Sequence, residues 1–148
     1  YAFLGTEILK NHCVKITEYA DGAIALFFSN SVSSADTDIR FQKSYIEEGS
    51  PSPSLFVYTL PNILIGEIAI RNKWFGENLF TILPNFDSEC FARQCNIVLK
   101  KKAESVLCGW LNVLDENIET FIFFAEKNDS QKMNLPLNSQ TLSILYKQ

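Results

Sequence analysis

Residues 53–91 read PSLFVYTLPNILIGEIAIRNKWFGENLFTILPNFDSECF. Pro61-Asn62 opens a helix over about 61–73, because proline suits a first turn, where its missing N–H is no loss. Ile63, Leu64, Ile65, Ile68, Ala69 and Ile70 make that helix apolar almost all round. Such a helix belongs inside a large core or against a partner. Leu79 to Leu83 is a strand candidate, and Pro84-Asn85 is the turn out of it. A strong helix follows over 86–103. Asn85 is a good N-cap residue, Asp87 and Glu89 sit in the first turn, and Lys100, Lys101 and Lys102 close the last, each suited to the helix dipole. Phe91, Cys95, Val98 and Leu99 form its apolar stripe. The spacing of the small and polar residues is regular. Gly66 follows Asn62 by four residues, Gly76 comes ten later, and Asn85 nine after that.

Upstream, Asp21-Gly22 is a turn signal. Residues 23–29, AIALFFS, form a short continuous apolar run, which suits a strand buried on both faces. Ser34, with Asp38 nearby, marks the start of an amphipathic helix at about 35–48, with Ile39, Phe41, Tyr45 and Ile46 as its apolar positions. Residues 49–54, GSPSPS, read as a surface loop. Downstream, two strands, 105–114 and 118–126, are joined by the turn Asp115-Glu116-Asn117. Residues 127–134 are polar. The last stretch, SQTLSILYKQ, fits a short helix or an edge strand, and residues 1–20 fit a short helix or an extended lead-in. The order strand, helix, helix, strand, helix, strand, strand is α/β, in one domain over 1–148.

The bulk numbers exclude several functions. A chain of 148 residues can bury roughly 68–70% of its unfolded surface. Twelve Phe residues imply a well-filled core. A net charge of -4 argues against a nucleic-acid groove, which needs a basic face. No apolar stretch reaches the 18 or more residues of a membrane span. The start, YAFLGTEILK, has no basic region leading into a long apolar core, so no signal peptide is expected. Cys13, Cys90, Cys95 and Cys108 show no C-x-x-C spacing, and reduced, buried thiols in a cytoplasmic protein are expected. One histidine, His12, rules out a multi-His metal site made by this chain alone, and no cofactor motif is present.

Several residues carry two readings. Asp36, Asp38 and Arg40 form a charged cluster at a helix start, either a solvated face or a partner contact. Trp74-Phe75 is either core filling or an exposed partner anchor. A lone buried Glu67 is expensive in an apolar helix. It should face solvent, pair with Arg71 four residues on, or lie at an interface. Asn85 is either a helix cap or a polar group that holds a carbonyl.

The ordered set of strand 23–29, Pro53, Asn62, Gly66, Gly76, a strand, the elbow at Pro84-Asn85, a helix and the pair 105–126 resembles the β-ketoacyl synthases, the thiolase-fold condensing enzymes. The resemblance covers roughly residues 23–126 and the N-terminal half of a complete condensing enzyme. LCGW at 107–110 looks like the strand after the nucleophile helix, where the family has small residues. The resemblance implies one αβα half of the thiolase-like fold with a five-stranded mixed sheet. In that family a reactive Cys at the elbow takes an acyl group from an acyl carrier protein, and residues of the C-terminal half drive condensation with a malonyl thioester. Here Asn85 stands at the Cys position, Leu83-Pro84 replaces small residues, and the sequence holds no counterpart of the second half. The resemblance therefore implies a non-catalytic, chain-length-factor-like subunit in fatty acid or polyketide/aryl-polyene biosynthesis. It implies a homodimer, or a heterodimer with a full-length ketosynthase, and contact with an acyl carrier protein. Two other readings stand beside it. One is acyl-thioester transfer through Cys90, the nearest thiol to the elbow. The other is a fold-only α/β binding module.

Overall fold

A computed structural model describes residues 1–114, 116–127 and 135–148. The turn expected at Asp115 and most of the polar stretch 127–134 lie outside the described residues. The elements run α1 (Ala2–His12), a 3-10 turn (Val14–Thr17), β1 (Ile24–Asn30), α2 (Ala35–Ile46), α3 (Pro53–Val57), α4 (Ile63–Asn72), β2 (Asn78–Ile82), α5 (Ser88–Lys100), β3 (Ser105–Leu114), β4 (Asn117–Glu126) and α6 (Ser139–Tyr146).

The sheet order is β2-β1-β3-β4. β1 pairs in parallel with β2 on one edge and with β3 on the other, and β4 returns antiparallel to β3. The mixed sheet expected from the sequence is present, with four strands among the described residues where five were expected. The segment that could have made an edge strand is helix α6. Asn138 caps it by accepting from the Thr141 N–H at 2.8 Å, and that local bond settles the helix. Between β1 and β2 the chain is helical or turning, so no strand enters the sheet there.

All seven residues of β1 are buried. Its side chains alternate between two cores. Ala25 and Phe27 join Phe91, Cys95, Leu99, Val106, Cys108, Trp110 and Leu142 on the α5–α6 face. Ile24, Leu26 and Phe28 join Ile65, Ile68, Trp74, Leu107 and Leu111 on the face covered by α1 and α4. This explains the unbroken apolar run: a strand with helices on both sides has no wet face. Each large side chain buried here stabilises the fold by about 1.5–3 kcal/mol. Gly109 sits in register with Phe28 across the β1–β3 pair. A Cβ at Gly109 would overlap the Phe28 ring, 2.5 Å from Cδ1, and that ring is fully buried. The small residue in LCGW is thus required by an aromatic on the neighbouring strand.

Three expectations change. α4 is not buried all round: Ile65, Ile68 and Ala69 face the sheet, whereas Ile70 is 75% exposed. Part of the stretch read as a loop starts a helix, because Ser52 caps α3 and Pro53 occupies its first turn. The apolar positions of α2 do not form a buried stripe. Ile39, Tyr45 and Ile46 are exposed, and Phe41 meets Phe56 of α3 with ring centroids 5.6 Å apart. The undecided start of the chain is helix α1. No helix of the described residues is long and apolar enough to cross a membrane.

The glycines give a direct check on packing. Gly66 has open space around the Cβ it lacks. Gly66→Ala should therefore raise stability by about 0.5–1 kcal/mol in urea unfolding, since alanine is the better helix former. Gly109→Ala should lower it by about 1–3 kcal/mol through overpacking.

Candidate functional site

β2 ends at Ile82, and residues 83–87 carry the chain to α5. The Leu83 N–H donates to the Asn30 carbonyl at 2.9 Å, which fixes the elbow against the end of β1. Pro84 and Asn85 are exposed. Phe86 turns inward and anchors the turn. It stacks on Tyr146 at 4.2 Å between centroids and meets Phe121 edge-on at 5.4 Å. Sequence reading missed Phe86. Its signal was the aromatic next to the turn, but the partners come from β4 and α6, far along the chain.

Asn85 does not cap the helix. α5 begins at Ser88, and the Asp87 carboxylate accepts from the Glu89 and Cys90 N–H groups at 3.0 and 2.9 Å. The later start places Cys90 third in the helix, in its first turn and half-buried. Asn85 is left exposed on the elbow.

The regular spacing in the sequence also resolves physically. Gly76 precedes β2 and Asn85 follows it, so their separation measures one five-residue strand plus its approaches. A Cβ at Gly76 would lie 2.8 Å from the Ile24 carbonyl carbon and nearer still to its oxygen. Backbone cannot yield there as a side chain could, so glycine is obligatory where β2 enters beside β1. Asn62 and Gly66 lie exposed on and before α4 and meet no such constraint.

The same end of the sheet carries a crevice on the α2–α4 side. Its loop, Ser31–Ser34, follows β1. The Asn30 side chain holds it, donating to the Ser33 carbonyl at 2.7 Å and accepting from the Ser33 N–H at 2.9 Å. Ser33 takes a left-handed backbone, φ 54°, which costs a non-glycine residue of order 1 kcal/mol. The Asn112 side chain accepts from the Ser31 N–H at 2.8 Å, tying the loop to β3. Ser34 Oγ lies 2.7 Å from the Thr59 carbonyl and 3.0 Å from Asp38. Tyr58 donates to Glu67 across the mouth, and that bond to a carboxylate, with the charge itself, pushes the phenol above its ordinary range.

Other candidates separate cleanly. Glu67 faces solvent and meets Tyr58, while Arg71 lies over the Phe3 ring at 5.8 Å. Asp36 pairs loosely with Arg40 at 3.7 Å. Trp74 is core and Phe75 is 66% exposed. Lys101 reaches Glu77 at 3.9 Å. Cys95 and Cys108, thirteen residues apart, bring their sulfurs to 3.2 Å in the core. Burial, then the neighbouring Cys95 sulfur, pushes the Cys108 thiol well above its usual range.

No family model matches the sequence, and no curated protein matches it. A solved structure does match: the ketosynthase ApeO in complex with its chain length factor ApeC from Xenorhabdus doucetiae. The TM-score is 0.61 at 12% identity, covering 90% of this chain and 64% of the matched chain. The chain thus spans under two thirds of that protein's length. At this identity the likeness is one of fold, and the fold is ketosynthase-like α/β.

Two outcomes follow from these side chains. Asp87→Ala should cost about 1 kcal/mol in urea unfolding, while Asn85→Ala should stay within about 0.5 kcal/mol. A raised folded pKa at Cys108 means the unfolded thiol loses its proton first, at about pH 8.5. Stability should then fall as pH rises above that value. Cys108→Ala, though less stable at neutral pH, should show a shallower fall in parallel melts.

Proposed function

We propose that this chain is a non-catalytic accessory subunit, chain-length-factor-like, that pairs with a full-length ketosynthase in fatty acid or polyketide/aryl-polyene biosynthesis. The observation that carries the reading is an elbow without a thiol on a ketosynthase-like fold. Asn85 stands exposed where the family resemblance sets the nucleophile. A carboxamide can donate and accept hydrogen bonds, so it can hold a thioester carbonyl, but it cannot form an acyl-enzyme. The acyl group delivered by a carrier protein would then load on the partner.

The outer edge of β2 supports the pairing. Among the described residues β2 is hydrogen-bonded to β1 alone, which leaves a row of backbone groups open to another chain. Phe75 just before the strand and Leu79 and Ile82 within it are exposed apolar side chains on or beside that edge. The solved neighbour is itself a complex of a ketosynthase with a chain length factor, which favours a ketosynthase as the occupant over a second copy of this chain.

A second reading has one observation in its favour. The start of α5 at Ser88 puts Cys90 within the first turn, close to the elbow, where a thiol could take an acyl group. Asp87 already occupies the N–H groups of that turn, which weighs against an anion forming there.

Affinity capture of the tagged chain from its source cell, read by mass spectrometry and light scattering, tests the pairing. A full-length ketosynthase should be recovered at equal stoichiometry. The double variant Leu79→Lys with Ile82→Lys alters exposed positions only, so it should lose that partner while keeping its far-UV circular dichroism. A strict monomer at high micromolar concentration, with no ketosynthase recovered, contradicts the proposal.

A further inference from the structure

We propose that Cys95 and Cys108 form a redox site, at which a small peroxide closes a disulfide that staples α5 to β3. Three observations carry this. The first is placement. β3 alternates its side chains, and Val106, Cys108 and Trp110 join the core on the α5–α6 face. Cys95 lies one turn after Phe91 and one turn before Leu99 on the buried stripe of α5. Helix and strand therefore bring one thiol each to the same core. The sulfurs stand 3.2 Å apart, and a disulfide of about 2.05 Å needs them to close by only about 1.2 Å.

The second is isolation. Both residues are fully buried, and each sulfur has the other as its hydrogen-bond partner. Phe27 and Phe123 flank Cys108 on the neighbouring strands. The Phe91 ring lies 4.6 Å from that of Phe27 and 6.0 Å from that of Phe123. Such a core excludes a bulky thiol reagent, whereas a small uncharged peroxide reaches it through local opening. The other two thiols do not compete. Cys13 packs against the opposite core, and Cys90 sits half-buried in the first turn of α5.

The third is connectivity. The two cysteines are thirteen residues apart, and the end of α5 and the turn into β3 lie between them. A bond there closes that loop in the unfolded chain and fixes the helix that leaves the elbow onto the sheet. The step balances with hydrogen peroxide as the oxidant. One sulfur gives an electron pair to a peroxide oxygen, forming a sulfenic acid and releasing water. The second sulfur displaces the hydroxyl as a second water, and the S–S bond closes. Both thiol protons end in water, and each sulfur has lost one electron. A dithiol reductant reverses the step. The site depends neither on the residue at the elbow nor on the pairing proposed above.

The test exposes the native chain to a small molar excess of hydrogen peroxide, alkylates the remaining free thiols in denaturant and maps the tryptic peptides. Cleavage after Arg93, Lys100, Lys102 and Lys127 places Cys95 in residues 94–100 and Cys108 in residues 103–127. These two peptides should appear joined, about 2 Da lighter than their sum for the two hydrogens lost, and should separate in dithiothreitol. The oxidised chain should melt about 5–10 °C above the reduced one. Cys108→Ala should lose both the joined peptide and the shift. The double variant Cys13→Ser with Cys90→Ser leaves the pair intact and should keep both, so the site is read even if Cys108→Ala folds poorly. Free thiols at both positions after the peroxide treatment would overturn the proposal. So would sulfinic acids there without the joined peptide, or cross-links to Cys13 or Cys90 in its place.

Discussion

β1 is hydrogen-bonded along both edges and buried on both faces, and the placement of the other elements follows from it. Its two faces feed two separate cores. Its edges admit neighbours only where their backbones can come close. β2 enters beside Ile24 because Gly76 has no side chain, and β3 passes Phe28 because Gly109 has none. At its far end Asn30 divides its bonding. The carbonyl holds the elbow through Leu83, and the side chain holds the strained loop at Ser33. One residue therefore couples the elbow on one side of the sheet to the crevice on the other.

Two kinds of chemistry meet at this end of the sheet. The elbow side is aromatic, built on Phe86, Phe121 and Tyr146, and it presents the exposed Asn85. The crevice side is acidic and hydroxylated. In the proposed pairing, the open edge of β2 is where the partner joins.

Much of the fold was legible because the decisive signals are local. The run 23–29 is apolar on both faces, so it had to be central. The helix after the elbow has a clear stripe, and Gly76 sits just ahead of the strand it admits. What was not legible depends on residues far apart in sequence. Asp87 takes the cap from Asn85 because Phe86 is drawn inward by Tyr146, sixty residues away, and no local pattern reports that. The apolar positions of α2 and α4 looked like core, yet one side of each lies exposed, since periodicity gives a face and not its neighbour. The fifth strand came from the family resemblance alone, and the cap at Asn138 turned its candidate segment into a helix. The crevice is assembled from the loop after β1, α4 and β3, which lie far apart in the sequence.

The most direct measurement is intact-mass analysis of the assembled pair after exposure to an acyl thioester on its carrier protein. An accessory subunit predicts the acyl adduct on the ketosynthase partner and an unmodified mass for this chain. An adduct on this chain that disappears in Cys90→Ala would contradict a non-catalytic role and move the chemistry to the first turn of α5.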